Sequence, residues 1–203
     1  IHGLRARLSS EAGTPEVIAQ SPAMERVLGQ IRQIAGLDTT VLLEGESGTG
    51  KDLAATLIHV LSPRADKPFL EVNCGGLPES LLESLLFGYE KGAFTGAGQA
   101  NAGYFEKAHE GNLFLDEIAD MSPKLQSSLL HVLQSHQFTR IGSTQPRTAD
   151  FRLICATEVD LEALDLLAVA HHQLALEPDV GDLGAGTGVG AAVDVDGDRD
   201  VEV

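Results

Sequence analysis

Seven consecutive residues, Gly45-Glu46-Ser47-Gly48-Thr49-Gly50-Lys51, have the types and spacing of a phosphate-binding loop. Glycines let a backbone wrap close to phosphate oxygens, where side chains would collide. The amides of such a loop point inward, and the positive end of the following helix adds to the attraction. Lys51 supplies a full charge to the outer phosphates. The context agrees, because the apolar run Val41-Leu42-Leu43 precedes the loop and a helical stretch from Leu53 to Leu61 follows it. A tight strand-to-helix turn is the alternative for a glycine-rich run taken alone. Asp52 stands after the lysine, where Ser or Thr usually holds magnesium. Its carboxylate is open to two readings: it attracts a cation, directly or through water, or it is the first-turn acid that helices favour.

A second group of residues complements the first. Gly111-Asn112-Leu113-Phe114-Leu115-Asp116-Glu117 is an apolar strand ending in two carboxylates. Carboxylates are costly to bury unpaired, and a metal ion bridging bound phosphates offsets that cost. In this reading Asp116 holds Mg2+ and Glu117 polarises the attacking water. Positioning and electrostatics do most of the work in phosphoryl transfer, so two such groups suffice on that side. Seen alone, the pair reads equally well as a helix cap. Its place after a phosphate loop, in the expected strand order, favours the chemical reading.

The elements that must position these groups follow from pattern. Residues 1–15 carry little periodicity and read as linker. Ser21-Pro22 opens a helix whose one face carries Met24, Val27, Leu28, Ile31 and Ile34. Phe69 to Val72 reads as a second strand, Leu81 to Leu86 as a short amphipathic helix, and Gly88 to Gly103 as a glycine-rich insertion. Leu113 to Leu115 forms a third strand, Ser122-Pro123 opens another helix, and Phe151 to Ala156 forms a fourth strand. Strands alternating with helices predict an α/β fold, a parallel sheet with helices on both faces. Ligands of such sheets bind at the carboxyl ends of the strands, where both motifs fall.

Composition bounds the function. The chain has 203 residues, 43% apolar and 4% aromatic, with no Trp, so its core is aliphatic. The formal net charge is −16. Residues 1–157 hold 13 basic and 18 acidic residues, whereas residues 158–203 hold 12 acidic residues and the single base Arg199. That balance disfavours direct nucleic-acid binding, which needs a basic surface. No run reaches the roughly 18 apolar residues of a membrane span, and Ile1-His2-Gly3 starts no signal peptide but reads as the cut end of a longer protein. Cys74 and Cys155 make no disulfide framework and read as buried small residues in a reducing cytoplasm.

A resemblance then emerges from Leu82-Glu83-Ser84-Leu85-Leu86-Phe87-Gly88-Tyr89-Glu90-Lys91-Gly92-Ala93-Phe94-Thr95-Gly96-Ala97. This stretch resembles the signature of the central AAA+ domain of sigma-54-dependent transcriptional activators, the bacterial enhancer-binding proteins. The similarity runs from about Val17 to Leu161 and implies a domain at 16–161 with an AAA+ P-loop NTPase fold. It implies that Gly92, Ala93, Phe94, Thr95, Gly96 and Ala97 form the loop that touches sigma-54 in the RNA polymerase holoenzyme. It implies ATP and Mg2+ as ligands, with Gly45 to Lys51 and Asp52 around the phosphates. It also implies that Asn73 restrains the catalytic Glu117 until that contact is made, and that subunits form homo-oligomeric rings. The implied function is ATP hydrolysis coupled to remodelling of the closed promoter complex. Glycines at Gly92 and Gly96 suit a loop that changes shape, and Phe94 suits a protruding contact. Folding of Phe94 into the core is the alternative for that residue alone.

The sequence also departs from the family. Leu85 stands where an acid is usual, and Glu158 stands where Asn or His senses the terminal phosphate. Beyond Leu161 no arginine finger, fifth strand or helical lid is recognisable. The fold is therefore expected to be incomplete, without the C-terminal helical lid, and ATP turnover by this chain alone is expected to be slow or absent. The alternatives are a non-hydrolysing fragment that binds nucleotide and sigma-54, and an inert remnant. Residues 162–203 read as an acidic, glycine-rich tail whose composition predicts disorder. Neither His171-His172 nor the run Asp194 to Asp200 has the spacing of a metal site.

Overall fold

The computed structural model describes residues 22–158 and the backbone of 191–194. The expected linker, the histidine pair and the rest of the acidic tail lie outside those residues. Helix α1 (Pro22–Ala35) buries Val27, Leu28, Ile31, Ile34 and Ala35, the spacing of one helical face. Strand β1 (Val41–Glu44) runs into the glycine loop, and helix α2 (Lys51–Val60) leaves it. Strand β2 (Phe69–Asn73) and helix α3 (Glu79–Phe87) come next.

The glycine-rich insertion is more ordered than its composition suggests. Strands β3 (Gly88–Tyr89) and β4 (Asn101–Ala102) pair antiparallel, and helix α4 (Tyr104–Lys107) follows. Strand β5 (Asn112–Asp116) passes through a 3-10 turn at Ile118–Asp120 into helix α5 (Pro123–Ser135). Ser122 Oγ caps α5 by accepting from the Leu125 amide at 3.3 Å, with Pro123 behind it at the first helical position. A small hairpin, β6 (Gln137–Phe138) with β7 (Arg147–Thr148), leads to strand β8 (Arg152–Thr157).

The main sheet is parallel, in the order β2-β5-β8-β1-β9, where β9 is Ala191–Asp194. Strand β9 corrects the expectation that the tail holds no core strand. Ala191-Ala192-Val193-Asp194 has almost no hydrophobic pattern to betray it. Its partner is β1, paired through Val41↔Ala191 to Glu44↔Asp194.

Side chains alternate across the sheet into two cores. Leu113, Leu115, Leu153 and Cys155 face α3 and α5, with Leu86, Leu125 and Leu129. Val41, Leu43, Phe114, Ile154 and Ala156 face α1 and α2, with Ile31, Leu57 and Ile58. Burial on both faces is what a parallel sheet requires. Arg152, 3% exposed, joins α1 to this sheet. Its guanidinium donates to the carbonyls of Ile34 at 2.8 Å, Ala35 at 3.0 Å and Thr39 at 2.9 Å.

Candidate functional site

The glycine loop turns from β1 into α2 through left-handed backbone at Gly48 (φ 80) and Gly50 (φ 92). Only glycine takes those angles without strain. Lys51 opens α2 and is 8% exposed. Its Nζ donates to the carbonyls of Gly45 at 2.8 Å and Glu46 at 2.9 Å, which holds the charge against the loop. Thr49 Oγ1 donates to the Glu46 carbonyl at 2.8 Å and tightens the turn. Glu46, Ser47 and Gly48 are exposed at its tip, and Asp52 is exposed on the first turn of α2.

Asp116 ends β5 in register with Asn73 at the end of β2. Its Oδ1 accepts from the Glu117 amide at 3.0 Å, and its Oδ2 accepts from Asn73 Nδ2 at 3.4 Å. The amide expected to restrain Glu117 thus meets Asp116 instead. Glu117 has φ 53, a strained angle for a residue with a side chain. Its Oε2 lies 1.7 Å from the place a Cβ on Gly75 would take, and Asp120 Oδ2 lies 3.0 Å from it. The Glu117 carboxylate therefore rests over a position that only glycine leaves open. Burial pushes the Cys74 thiol up to about 12, and nearby Asp116, Asp120 and Glu117 add to the shift. Cys74 and Cys155 are both free and buried, and burial raises Cys155 as well.

The two motifs share one edge of the sheet. Strand β8 lies between β5 and β1, with Leu115 and Leu42 both in register with Cys155. Two strand spacings therefore separate the end of β5 from the start of the loop, about 10 Å. A gap of that size suits the phosphates of a nucleotide. Glu158 is exposed just past the end of β8, on the same edge. Among the described residues no group of three or more His, Cys, Asp or Glu is placed to hold a metal ion. Magnesium needs no such cage, because it binds through one or two carboxylates plus phosphates and water. Asp116, half-buried at a strand end, fits that demand.

Gly92 to Ala97 lie in the connection between β3 and β4, with Gly92, Phe94, Thr95 and Gly96 exposed and Ala97 buried. Phe94 is 46% exposed, so its ring is not taken into the core. Beneath the loop lies a charge network that sequence reading missed. Arg140 donates to Glu90 at 3.2 Å and also to Glu106, while Arg147 donates to Glu90 at 3.3 Å and Glu106 at 2.8 Å. These acids keep Arg140 protonated well above its ordinary range, Glu106 most of all. The four residues come from separate segments, and no local spacing marks them as partners.

Among the described residues no helix is long and apolar enough to cross a membrane. The family model for the Sigma-54 interaction domain matches residues 17–171. The Nif-specific regulatory protein of Azospirillum lipoferum is 55% identical over 147 residues, 72% of this chain and 24% of that protein. The Nif-specific regulatory protein of Azotobacter vinelandii is 53% identical over 147 residues, 72% of this chain and 28% of that protein. The crystal structure of NtrX from Brucella abortus in complex with ADP has 37% identity and a TM-score of 0.66, covering 72% of this chain and 32% of that one. NtrX in complex with ATP has 37% identity and a TM-score of 0.66, covering 72% of this chain and 31% of that one. The chain thus spans roughly a quarter of the length of these Nif-specific relatives. A glycine loop and an acidic pair stand at one edge of the parallel sheet, a Gly-Ala-Phe-Thr-Gly-Ala loop joins the separate pair β3 and β4, and the family match spans most of the sequence: the chain belongs to the sigma-54 interaction domain family.

Proposed function

We propose that this chain is an ATP-binding domain that couples hydrolysis to remodelling of RNA polymerase bound to sigma-54, in the cytoplasm. The observation that carries the reading is the shared carboxyl edge of β1 and β5, where Lys51 follows one strand and the Asp116–Glu117 pair ends the other, two strand spacings away. The similar NtrX structures were solved with ADP and with ATP, which supports nucleotide as the ligand. In this reading the amides from Gly45 to Gly50 cradle the phosphates and Lys51 neutralises the outer ones. Asp116 would hold Mg2+, which supplies charge neutralisation to the phosphates when bound. Glu117 polarises the attacking water once it leaves its position over Gly75. Asn73 governs the acidic pair through Asp116. Asp52 stays available as a further attraction for a cation. Gly92 to Ala97 contact sigma-54, and neighbouring copies complete the site in a homo-oligomeric ring. The one arginine after Arg152 is Arg199, so turnover by isolated copies is expected to be slow.

Calorimetric titration tests this directly. The protein is expected to bind ADP and ATP, and Lys51→Ala to weaken binding about 10- to 100-fold, the cost of a charged phosphate contact. Glu117→Gln is expected to bind ATP as the parent does while losing residual turnover. A folded parent protein that binds neither nucleotide would overturn the reading.

A further inference from the structure

The loop from Gly92 to Ala97 is tied down by one residue that its motif does not include. Tyr89 meets Phe94 edge to face, with ring centroids 4.9 Å apart and planes at 60°. That separation lies at the short end of the range in which aromatic pairs attract. Tyr89 itself stands on a fixed base. It belongs to β3, paired with β4, and bridges to Ile141. The Ile141 amide donates to the Gly88 carbonyl at 3.0 Å, and the Glu90 amide donates to the Ile141 carbonyl at 3.0 Å. Glu90, the next residue, is held by Arg140 and Arg147.

The loop beyond has a different character. Its backbone bonds close on themselves: Gly92 N–H to the Ala97 carbonyl at 2.8 Å, Ala97 N–H to the Phe94 carbonyl at 3.0 Å, and Gly98 N–H to the Gly96 carbonyl at 2.8 Å. One backbone bond, from the Ala93 amide to the Glu90 carbonyl at 3.1 Å, ties the loop to the anchored end of β3. Side chains supply further contacts to the body. Besides the ring pair, Ala93 rests on Gly142, where a Cβ would stand 2.9 Å from the Ala93 Cβ.

We propose that Tyr89 is a positioning residue that parks Phe94 against the body of the domain, so that a protein partner must displace Tyr89 to take the full Phe94 ring. The parked position follows from the geometry alone; its consequence for the partner rests on the reading of Gly92 to Ala97 as the sigma-54 contact. A partner that buries Phe94 gains the apolar surface now exposed and loses the Tyr89 pair. Tyr89 therefore lowers partner affinity and keeps an exposed aromatic from unspecific contacts.

Two readouts on the full chain test the proposal. The first is chymotryptic cleavage of the Phe94–Thr95 bond, followed by mass and normalised to cleavage after the fully buried Phe114. Tyr89→Ala is expected to speed it about two- to tenfold, the worth of an aromatic pair, while Tyr89→Phe keeps the parent rate. Equal rates for Tyr89→Ala and the parent, or a Tyr89→Phe rate matching Tyr89→Ala, would overturn it. If Tyr89→Ala unfolds, Tyr89→Leu retains bulk without the ring and is read in the same way. The second readout is binding of purified sigma-54, expected to tighten about two- to tenfold in Tyr89→Ala. Unchanged sigma-54 affinity with faster cleavage refutes the opposition between parking and contact. No sigma-54 binding by any variant, parent included, sinks the partner reading and leaves the cleavage result to decide the parking.

Discussion

His59 Nδ1 lies 2.8 Å from Asn112 Nδ2, and its ring stacks on Phe69 with centroids 4.9 Å apart. An amide nitrogen only donates, so Nδ1 accepts and the ring is neutral with its proton on Nε2. Protonation would turn the acceptor into a donor facing another donor. Burial accordingly holds the His59 pKa below its ordinary 6.5. The unfolded chain then takes up a proton before the folded one does. Stability from this group is present above about 6.5 and declines as pH falls. Urea unfolding at pH 7.5 and 5.5 is expected to show a lower midpoint at the acid value, and His59→Gln to flatten the difference. Equal pH dependence in both proteins would locate the effect elsewhere. This pair was not legible in the sequence, because its members stand 53 residues apart and neither type is unusual where it stands. Lys51, Asp116 and Glu117 could be nominated from the sequence, because phosphate chemistry demands particular residues at fixed local offsets. What their types could not reveal is that Asn73 bonds Asp116, or that Glu117 lies over Gly75.

Among the elements, α1 depends on a residue far from it in sequence. Its last carbonyls face no further turn of helix, and Arg152 from β8 meets those of Ile34 and Ala35 with two hydrogen bonds, adds a third to Thr39 beyond the helix, and places a positive charge at the negative helix end. Burial lowers the Arg152 pKa, yet the group stays charged because its ordinary value, 12.5, is so high. Arg152→Leu would remove all three hydrogen bonds, leaving the Ile34 carbonyl with the Leu37 amide as its remaining donor. Chemical denaturation is expected to show a loss of about 3 kcal/mol. A loss below about 1 kcal/mol would mean that water replaces the guanidinium without strain. Helices α1 and α5 were readable from their apolar period and from Ser-Pro starts, since each buries one face. The hairpins β3–β4 and β6–β7 were not, because two-residue strands carry no period at all. They are nonetheless the elements that hold the Phe94 loop, through Tyr89 on one and the loop between Arg140 and Arg147 on the other.

Taken as a whole molecule, the domain has a strongly uneven charge and an open parallel sheet. The parallel direction of its inner strands followed from the alternation of apolar runs and helices, whereas their spatial order β2-β5-β8-β1 did not. The outer strand did not either, because Ala191 to Asp194 owe their place to β1 rather than to any pattern of their own. That pairing has a consequence for how the chain behaves in concentrated solution. Without β9, the backbone N–H and C=O groups of Val41 to Glu44 on that side would face water along an apolar strand. Such a rim is a template for a stranger's strand. A variant ending at residue 190 is therefore expected to scatter more light as its concentration rises, while the parent stays monodisperse under the same conditions. Identical scattering would assign the outer strand no protective part. In the expected case Ala191 to Asp194 act as a stopper that keeps β1 from recruiting its neighbours into fibres.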